Sequence, residues 1–78
     1  MKGLDFMKIT KTLKNLTKGT QINACKGDFG WYILTSDYDA LHGAYYADRY
    51  TLDDDDNEIK IDENVLLTPA DLIGNELA

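Results

Sequence analysis

Hydrophobic and polar positions at the start of the chain repeat with the period of an α-helix. Four apolar side chains recur at spacings of three, four and three residues, at Phe6, Ile9, Leu13 and Leu16. Four lysines occupy other positions, at Lys8, Lys11, Lys14 and Lys18. Apolar residues at this spacing share one helical face, and Gly19 after the last lysine is a typical stop signal. The pattern predicts an amphipathic helix from about Asp5 to Lys18, and leaves open whether residues 1–6 are a leader or alternative start before Met7.

Two pairs of short segments further along the chain show the period of β-strands. Residues 20–26 alternate weakly, and residues 31–35 are rich in aromatic and β-branched side chains. Glycines at positions 27 and 30 shape the connection, so this pair predicts a β-hairpin. The second pair is Arg49–Leu52 and Glu58–Asp62, which flank an acidic loop. Ile59 and Ile61 alternate there with charged residues, which predicts a second hairpin with one buried face.

The segment 36–47 between these hairpins has two interpretations. Ser36 followed by Asp39 has the form of a helix N-cap with an acidic third residue. Three further residues would then share a helical face: Tyr38, Leu41 and Tyr45. Gly43 weakens this interpretation. A turn over residues 36–43, followed by a strand over residues 44–52, fits nearly as well because tyrosine and threonine favour strands.

The C-terminal segment predicts a short helix. Thr68 is a typical N-cap, Pro69 suits the first helical position, and Asp71 adds an acid to the first turn. Three apolar side chains would close the core, at Leu72, Ile73 and Leu77.

Together these elements predict one α+β domain spanning all 78 residues. An antiparallel sheet of three to four strands would lie between an N-terminal amphipathic helix and a short C-terminal helix. No stretch approaches the ~18–20 apolar residues that cross a bilayer, so we expect no membrane partner and a cytoplasmic protein.

Charge is distributed unevenly along the chain. The first 26 residues carry six lysines against one aspartate, whereas the remainder carries 13 acids against two cations, for a net charge of −6. Ten acids fall between positions 37 and 63: Asp37, Asp39, Asp48, Asp53, Asp54, Asp55, Asp56, Glu58, Asp62 and Glu63. An acidic surface serves solubility, but mutual repulsion within so dense a cluster opposes compaction and favours a binding role.

Residues suited to enzymatic catalysis are scarce. Cys25 and His42 are the single cysteine and histidine, and neither has a visible activating neighbour. One residue of each type cannot supply a zinc site. A calcium loop starting at Asp53 would need glycine where Glu58 stands. We therefore expect a protein without enzymatic activity, metal or cofactor, and the net negative charge also argues against direct nucleic-acid binding.

Acidic and aromatic residues are interleaved between positions 31 and 56. Aromatic side chains supply rigid contact area at interfaces, and carboxylates complement a basic partner. Carboxylates at alternate strand positions are also spaced on the scale of DNA phosphates. The sequence predicts a partner-binding surface made of the following residues: Trp31, Asp37, Asp39, Tyr45, Tyr46, Asp48, Asp53, Asp54, Asp55, Asp56 and Glu58.

In its small size, its run Asp53–Asp56 and its α+β pattern, the chain resembles small acidic phage-encoded inhibitors of the anti-CRISPR, antirestriction and DNA-mimic kinds. The resemblance implies a non-enzymatic inhibitor whose acidic face occupies the basic nucleic-acid-binding surface of a nuclease or CRISPR effector. The N-terminal lysines depart from the uniformly acidic surface of such mimics. They support the alternative of a small structural or assembly module, for example a homodimer, that self-associates through a Lys-rich helix and an Asp-rich hairpin.

Overall fold

The computed structural model describes residues 7–24 and 30–78. These residues form one sheet of six strands in the order β1-β6-β2-β3-β4-β5, and every neighbouring pair is antiparallel. The strands are β1 (Met7–Lys8), β2 (Gln21–Asn23), β3 (Trp31–Leu34), β4 (Tyr45–Leu52), β5 (Glu58–Leu67) and β6 (Glu76–Leu77). A single 3₁₀ turn, Pro69–Leu72, separates β5 from β6. The prediction of an antiparallel sheet is confirmed, but the expected three to four strands and the α+β class are both wrong, because the described residues contain six strands and no α-helix.

Side chains along the strands alternate between two faces of the sheet. The inner face carries the buried strand residues Ile22, Leu34, Tyr45, Ala47 and Leu67. Ile9 and Leu72, which lie outside the strands, complete this core. The outer face carries the residues between them: Trp31, Ile33, Tyr46, Asp48, Tyr50, Leu52, Glu58, Lys60 and Leu66. All of these outer-face residues are half-buried or exposed, so the sheet has one packed face and one face open to contact.

The described N-terminal residues 7–18 are not helical. After β1, residues 9–17 form neither helix nor strand, and a turn follows at residues 18 and 19. The predicted helix from Asp5 to Lys18 is therefore wrong over residues 7–18, and positions 5 and 6 lie outside the described residues. β-branched residues lower the helix propensity of this stretch: Ile9, Thr10, Thr12 and Thr17. Its apolar residues instead pack on the inner face, with Ile9 buried and Leu13 and Leu16 partly buried.

Hydrogen bonds to distant parts of the chain hold this N-terminal segment. The N–H of Ile9 donates to the backbone carbonyl oxygen of Asn75 at 2.8 Å. The N–H of Gly74 donates to the backbone carbonyl oxygen of Ile9 at 2.9 Å. The hydroxyl of Tyr45 donates to the oxygen of Leu13 at 2.7 Å and accepts from the N–H of Leu16 at 3.3 Å. These partners satisfy backbone groups that a helix would have paired internally, so tertiary contacts override the helical spacing.

The C-terminal segment begins as predicted and then ends early. The side chain of Thr68 accepts from the N–H of Asp71 at 3.2 Å, and the carboxylate of Asp71 accepts from the N–H of Thr68 at 2.9 Å. Pro69 occupies the start of the turn. Ile73 is already extended and Gly74 has a positive φ of 94°, so only one 3₁₀ turn forms. The predicted C-terminal helix is wrong, because residues 76–77 are needed as β6 between β1 and β2.

The ambiguous segment 36–47 is a turn followed by a strand. Asp39 and Ala44 form an isolated antiparallel bridge, in which the N–H of Asp39 donates to the oxygen of Ala44 at 2.9 Å. β4 begins at Tyr45 directly after it. The turn interpretation is therefore confirmed, and the helical one is wrong.

Both predicted hairpins are present, but the predicted buried face of the second is wrong at Ile59 and Ile61, which are exposed. β2 pairs with β3, with Ile22 opposite Tyr32, and their connection at residues 25–29 lies outside the described residues. The β4–β5 hairpin is longer than predicted, because its strands hold 8 and 10 residues. The two additional residues of β5 are accommodated by two irregularities in the pairing, one at Ile61 and one at Glu63 and Asn64. Bulges twist an edge strand, and β5 is one of the two edges of this sheet.

Candidate functional site

Asp53 organises the acidic loop at the tip of the β4–β5 hairpin. Its carboxylate accepts from the N–H groups of Asp55 at 2.8 Å and Asn57 at 2.9 Å. The N–H of Asp56 donates to the backbone carbonyl oxygen of Asp53 at 3.0 Å, which closes the turn. The hydrogen bonds from Asn57 and Asp55 to the carboxylate, that of Asn57 foremost, hold the pKa of Asp53 below its ordinary value of 3.8. Asp53 is therefore a structural residue of the loop, although the sequence predicts it as a partner contact.

Two further acids of the predicted surface stabilise the segment between β3 and β4. The carboxylate of Asp37 accepts from the N–H of Lys18 at 2.8 Å. The carboxylate of Asp39 accepts from the N–H of Leu41 at 3.0 Å and contacts Nδ1 of His42 at 2.6 Å. The hydrogen bond with the His42 side chain is the main reason that the pKa of Asp39 lies below 3.8. Both carboxylates therefore serve the local fold.

Asp48 lies on the outer face, where it is engaged on two sides. Its carboxylate accepts from the N–H of Asn64 at 3.2 Å within the bulge and forms an ion pair with Nζ of Lys60 at 3.2 Å. The Asn64 hydrogen bond is the largest cause that lowers the pKa of Asp48, and the same ion pair raises the pKa of Lys60. Only 14% of the Asp48 side chain is exposed, so the pair is a fixed part of this face.

Four acids of the predicted surface remain exposed without an intramolecular role. Their side chains make no hydrogen bond or ion pair with any described residue. They are Asp54, Asp55, Asp56 and Glu58. All four belong to the hairpin tip or to the first position of β5, so the accessible negative charge is more local than the sequence predicts. We call these four residues the acidic tip.

An aromatic pair lies on the outer face near the acidic tip. Trp31 of β3 stacks on Tyr50 of β4, with ring centroids 6.1 Å apart and an interplanar angle of 10°. Nζ of Lys60 lies 5.9 Å from the centroid of the Tyr50 ring. The sequence predicts a contact role for Trp31 but omits Tyr50. The period of two along β4 identifies Tyr50, because it shares a face with Tyr46.

The two remaining predicted aromatic contacts lie on opposite faces. Tyr46 is half-buried on the outer face, with its ring centroid 6.0 Å from that of His42. Tyr45 is fully buried in the core at 0% exposure, and burial raises the pKa of its phenol. The hypothesis that Tyr45 contacts a partner is wrong, because adjacent strand residues point to opposite faces and the core takes Tyr45.

A cavity of ≈ 300 Å³ opens beside the aromatic pair. It is lined by Gly30, Trp31, Thr51 and Leu52, and we call it the Trp31 pocket. Gly30 has a positive φ of 104°, and a Cβ atom there would lie 2.0 Å from the backbone oxygen of Tyr50. The absence of a side chain at this position therefore lets β3 approach β4 closely at the end of the sheet.

The strand register places the Trp31 pocket next to the acidic tip. Leu52 lines the pocket and lies directly opposite Glu58, so the Glu58 side chain is on the same face. The acidic loop begins at the residue after Leu52. Leu52 is 50% exposed, which leaves an apolar and aromatic wall open to solvent beside carboxylates. This arrangement suits recognition of a basic partner.

The described part of the chain has neither a metal-binding cluster nor a membrane-spanning helix. No group of three or more His, Cys, Asp or Glu side chains there is arranged to hold a metal ion. Residues 7–24 and 30–78 likewise contain no helix with the length and apolar character needed to cross a membrane. His42 is half-exposed and paired with Asp39, and Cys25 lies outside the described residues.

No protein-family model, curated protein or solved structure matches this chain.

Proposed function

We propose that this chain is a non-enzymatic protein-binding inhibitor of the anti-CRISPR or antirestriction type. Its acidic tip would occupy a basic nucleic-acid-binding surface of a partner such as a nuclease or CRISPR effector. The main support is the set of four exposed carboxylates that no described residue engages. Asp53 provides the contrast within the same loop, because its carboxylate accepts two N–H groups and maintains the turn.

The position of the charge also supports the proposal. The acidic tip lies at the end of a two-stranded hairpin whose outer strand, β5, is an edge of the sheet. A loop at the tip of a hairpin is able to enter a groove that a flat sheet could not enter. The net charge of −6 adds long-range attraction toward a basic surface, and such attraction mainly accelerates association.

One observation favours the alternative function of a self-associating assembly module. Lys8 and Lys11 line a second cavity of ≈ 140 Å³ together with Ile9, Leu13 and Leu77. This basic, partly apolar site lies at the β1 side of the sheet, and the acidic tip lies on the hairpin that ends at the β5 edge. A head-to-tail contact between copies would join the two sites.

Capture from a bacterial lysate tests the proposed function. The immobilised chain is incubated with the lysate, bound proteins are identified by mass spectrometry, and duplex DNA is then added as a competitor. We expect nucleic-acid-binding proteins that DNA displaces, because the acidic tip and the phosphates would share one surface. Captured proteins that do not bind nucleic acid, or that DNA fails to displace, would contradict the proposal.

Kinetics with a captured partner then separate the two functions. The triple change Asp54→Asn, Asp55→Asn and Asp56→Asn should slow association by about ten-fold, and raising the salt should have the same effect on the unchanged chain. The matched triple change Lys8→Gln, Lys11→Gln and Lys14→Gln should leave association within about two-fold. The assembly module requires the opposite: concentration-dependent oligomers in sedimentation that either triple change dissociates.

A further inference from the structure

The Trp31 pocket combines three features that define the chemistry of its occupant. Its wall is apolar and aromatic, since Trp31 and Leu52 line it together with Thr51, and Gly30 has no side chain. Its outer-face neighbour Glu58 and the acidic loop place negative charge beside the opening. At ≈ 300 Å³ the cavity holds one long side chain rather than a folded segment.

We infer that the Trp31 pocket binds a single arginine side chain presented by a basic partner. This inference rests on the proposed function, because it names the group that the site would take from a basic surface. A guanidinium is planar and weakly hydrated, so it stacks on an aromatic ring more readily than an ammonium does. Its methylene stem contacts apolar side chains such as Leu52 while its charged end faces carboxylates.

A lysine of the chain itself already lies beside the aromatic pair, on the Tyr50 ring. Nζ of Lys60 lies 5.9 Å from the centroid of Tyr50, and the same ammonium is paired with Asp48 at 3.2 Å. Tyr50 therefore has an internal cation beside it, whereas the pocket lies on the Trp31 side, and none of the described residues that line it is a lysine or arginine. The partner's arginine would occupy the equivalent position on Trp31.

Glu58 is the acid best placed to contact the charged end of this arginine. It is exposed, it lies opposite Leu52 on the outer face, and it has no partner among the described residues. Glu76 offers a matched comparison, because it also lies on a strand of the same sheet, opposite Lys8 of β1 and Asn23 of β2 in the strand register and away from the pocket. Removing either charge changes the net charge equally, so only a local contact distinguishes them.

The chain reports on its own pocket, because Trp31 is its single tryptophan. Trp31 fluorescence of the full chain is titrated with a blocked pentapeptide, acetyl-Gly-Gly-Arg-Gly-Gly-amide. The control peptides carry citrulline, lysine or leucine in place of arginine. We expect a saturable change with the arginine peptide at an affinity at least five-fold above that of the citrulline peptide, which has the same shape without the charge. Equal affinity for citrulline or leucine would show an uncharged occupant and overturn the inference, and tighter binding of lysine would overturn the choice of arginine.

Variants test the place of binding. Glu58→Gln should lower the affinity for the arginine peptide at least three-fold. Glu76→Gln should change this affinity by less than about 1.5-fold. Trp31→Leu should abolish peptide binding measured by calorimetry, with circular dichroism confirming that the sheet is retained. If Trp31→Leu unfolds the chain, Leu52→Ser provides a second test: it removes an exposed apolar wall residue without adding charge, so it should weaken the arginine peptide, and unchanged affinity would overturn the inference. Equal effects of the two glutamate changes would overturn the inference.

The two proposals fail in different ways. If the inference alone is wrong, a captured partner still depends on Asp54, Asp55 and Asp56, but the arginine peptide leaves Trp31 fluorescence unchanged. If the proposed function alone is wrong, the peptide binds at Trp31, but no captured protein responds to those three changes or to duplex DNA.

Discussion

The backbone at Gly30 has a conformation and a contact that a side chain would disturb. Its φ of 104° is in the region that L-amino acids rarely adopt, and a Cβ atom would lie 2.0 Å from the backbone oxygen of Tyr50. Gly19 has a similar φ of 93°, but no atom lies within 4 Å of its Cβ position. The two glycines therefore separate the effect of backbone strain from the effect of a collision.

We expect Gly30→Ala to lower the free energy of unfolding by about 2–3 kcal/mol, because strain and overpacking add at this position. Gly19→Ala should cost about 1 kcal/mol from strain alone. Urea unfolding followed by circular dichroism measures both values. Equal losses for the two variants would contradict the close approach of β3 and β4 at Gly30.

The Tyr45 hydroxyl links the sheet to the N-terminal segment. Tyr45→Phe removes the hydrogen bonds to the oxygen of Leu13 and the N–H of Leu16. We expect a loss of about 1–2 kcal/mol in the free energy of unfolding, because both backbone groups lose a partner. Tyr46→Phe is the matched control on the outer face and should change it by less than about 0.5 kcal/mol. Faster amide exchange at Leu16 in Tyr45→Phe would locate the effect in the N-terminal segment.

Among the elements, the β4–β5 hairpin places an aspartate where glycine is usual. Asp56 has a φ of 62° at the last position of its turn, before the strand resumes. A three-residue hairpin loop usually has glycine at this left-handed position.

Asp56→Gly should therefore raise the free energy of unfolding by about 0.5–1 kcal/mol, through relief of strain and of repulsion between neighbouring carboxylates. Asp54→Gly removes the same charge at a position without positive φ and should lower stability instead. Thermal unfolding of both variants checks the prediction. A gain in both would attribute the effect to charge alone, contrary to the observed turn geometry.

The β2–β3 and β4–β5 hairpins were predictable from the sequence, whereas the pairs that β6 forms with β1 and β2 were not. Strand-forming residues on both sides of the acidic loop are local signals, which the β4–β5 hairpin follows, although two bulges break the alternation along β5. The spacing of Ile9, Leu13 and Leu16 is also compatible with an extended chain lying over the inner face. The hydrogen bonds that decide between the two come from Gly74 and Asn75, more than 60 positions away in sequence. A local pattern does not contain such partners.

The candidate site was predictable in composition but not in detail. The sequence identified Trp31, Tyr46 and the acidic loop. It did not show that Asp53 accepts two N–H groups or that Asp48 pairs with Lys60, because those roles depend on the turn and on the bulges. Face assignment of Tyr45 and Tyr46 required the register of β4, since a shift of one residue exchanges the two.

For the molecule as a whole, stability should depend on pH at both ends of the range. The pKa values of Asp39, Asp48 and Asp53 are lowered from 3.8, so these acids release their protons more readily in the folded state. Their contribution to the free energy of unfolding is present above pH about 4 and is lost as the pH falls through the folded-state pKa values. The pKa of Lys60 is raised from 10.5 and that of Tyr45 from 10.0. The contribution of Lys60 and Tyr45 to the free energy of unfolding is present below those ordinary pKa values. It is lost as the pH rises through their folded-state pKa values.

Thermal unfolding across pH 2–12 at constant ionic strength measures this dependence. We expect the highest Tm between about pH 5 and 9, with a decline on each side. Asp48→Asn removes one of the lowered carboxyl pKa values and the ion pair with Lys60, so it should flatten both declines while lowering the Tm at neutral pH. A Tm that is constant from pH 6 to pH 2.5 would contradict the role of the three acids.

The pairing of β1 with β6 makes mechanical resistance depend on the direction of pulling. Met7 lies directly opposite Leu77, and Lys8 lies opposite Glu76, in an antiparallel pair. A force applied between residues 7 and 77 acts perpendicular to the strands. The hydrogen bonds between β1 and β6 therefore break one after another rather than together. The next bonds to break, still at low force, should be the backbone hydrogen bonds of Ile9 with Gly74 and Asn75. Strands β3, β4 and β5 should remain paired during these steps. Handles placed at positions 8 and 55 instead pull through the whole sheet, and optical-tweezer traces should show a higher rupture force for that geometry.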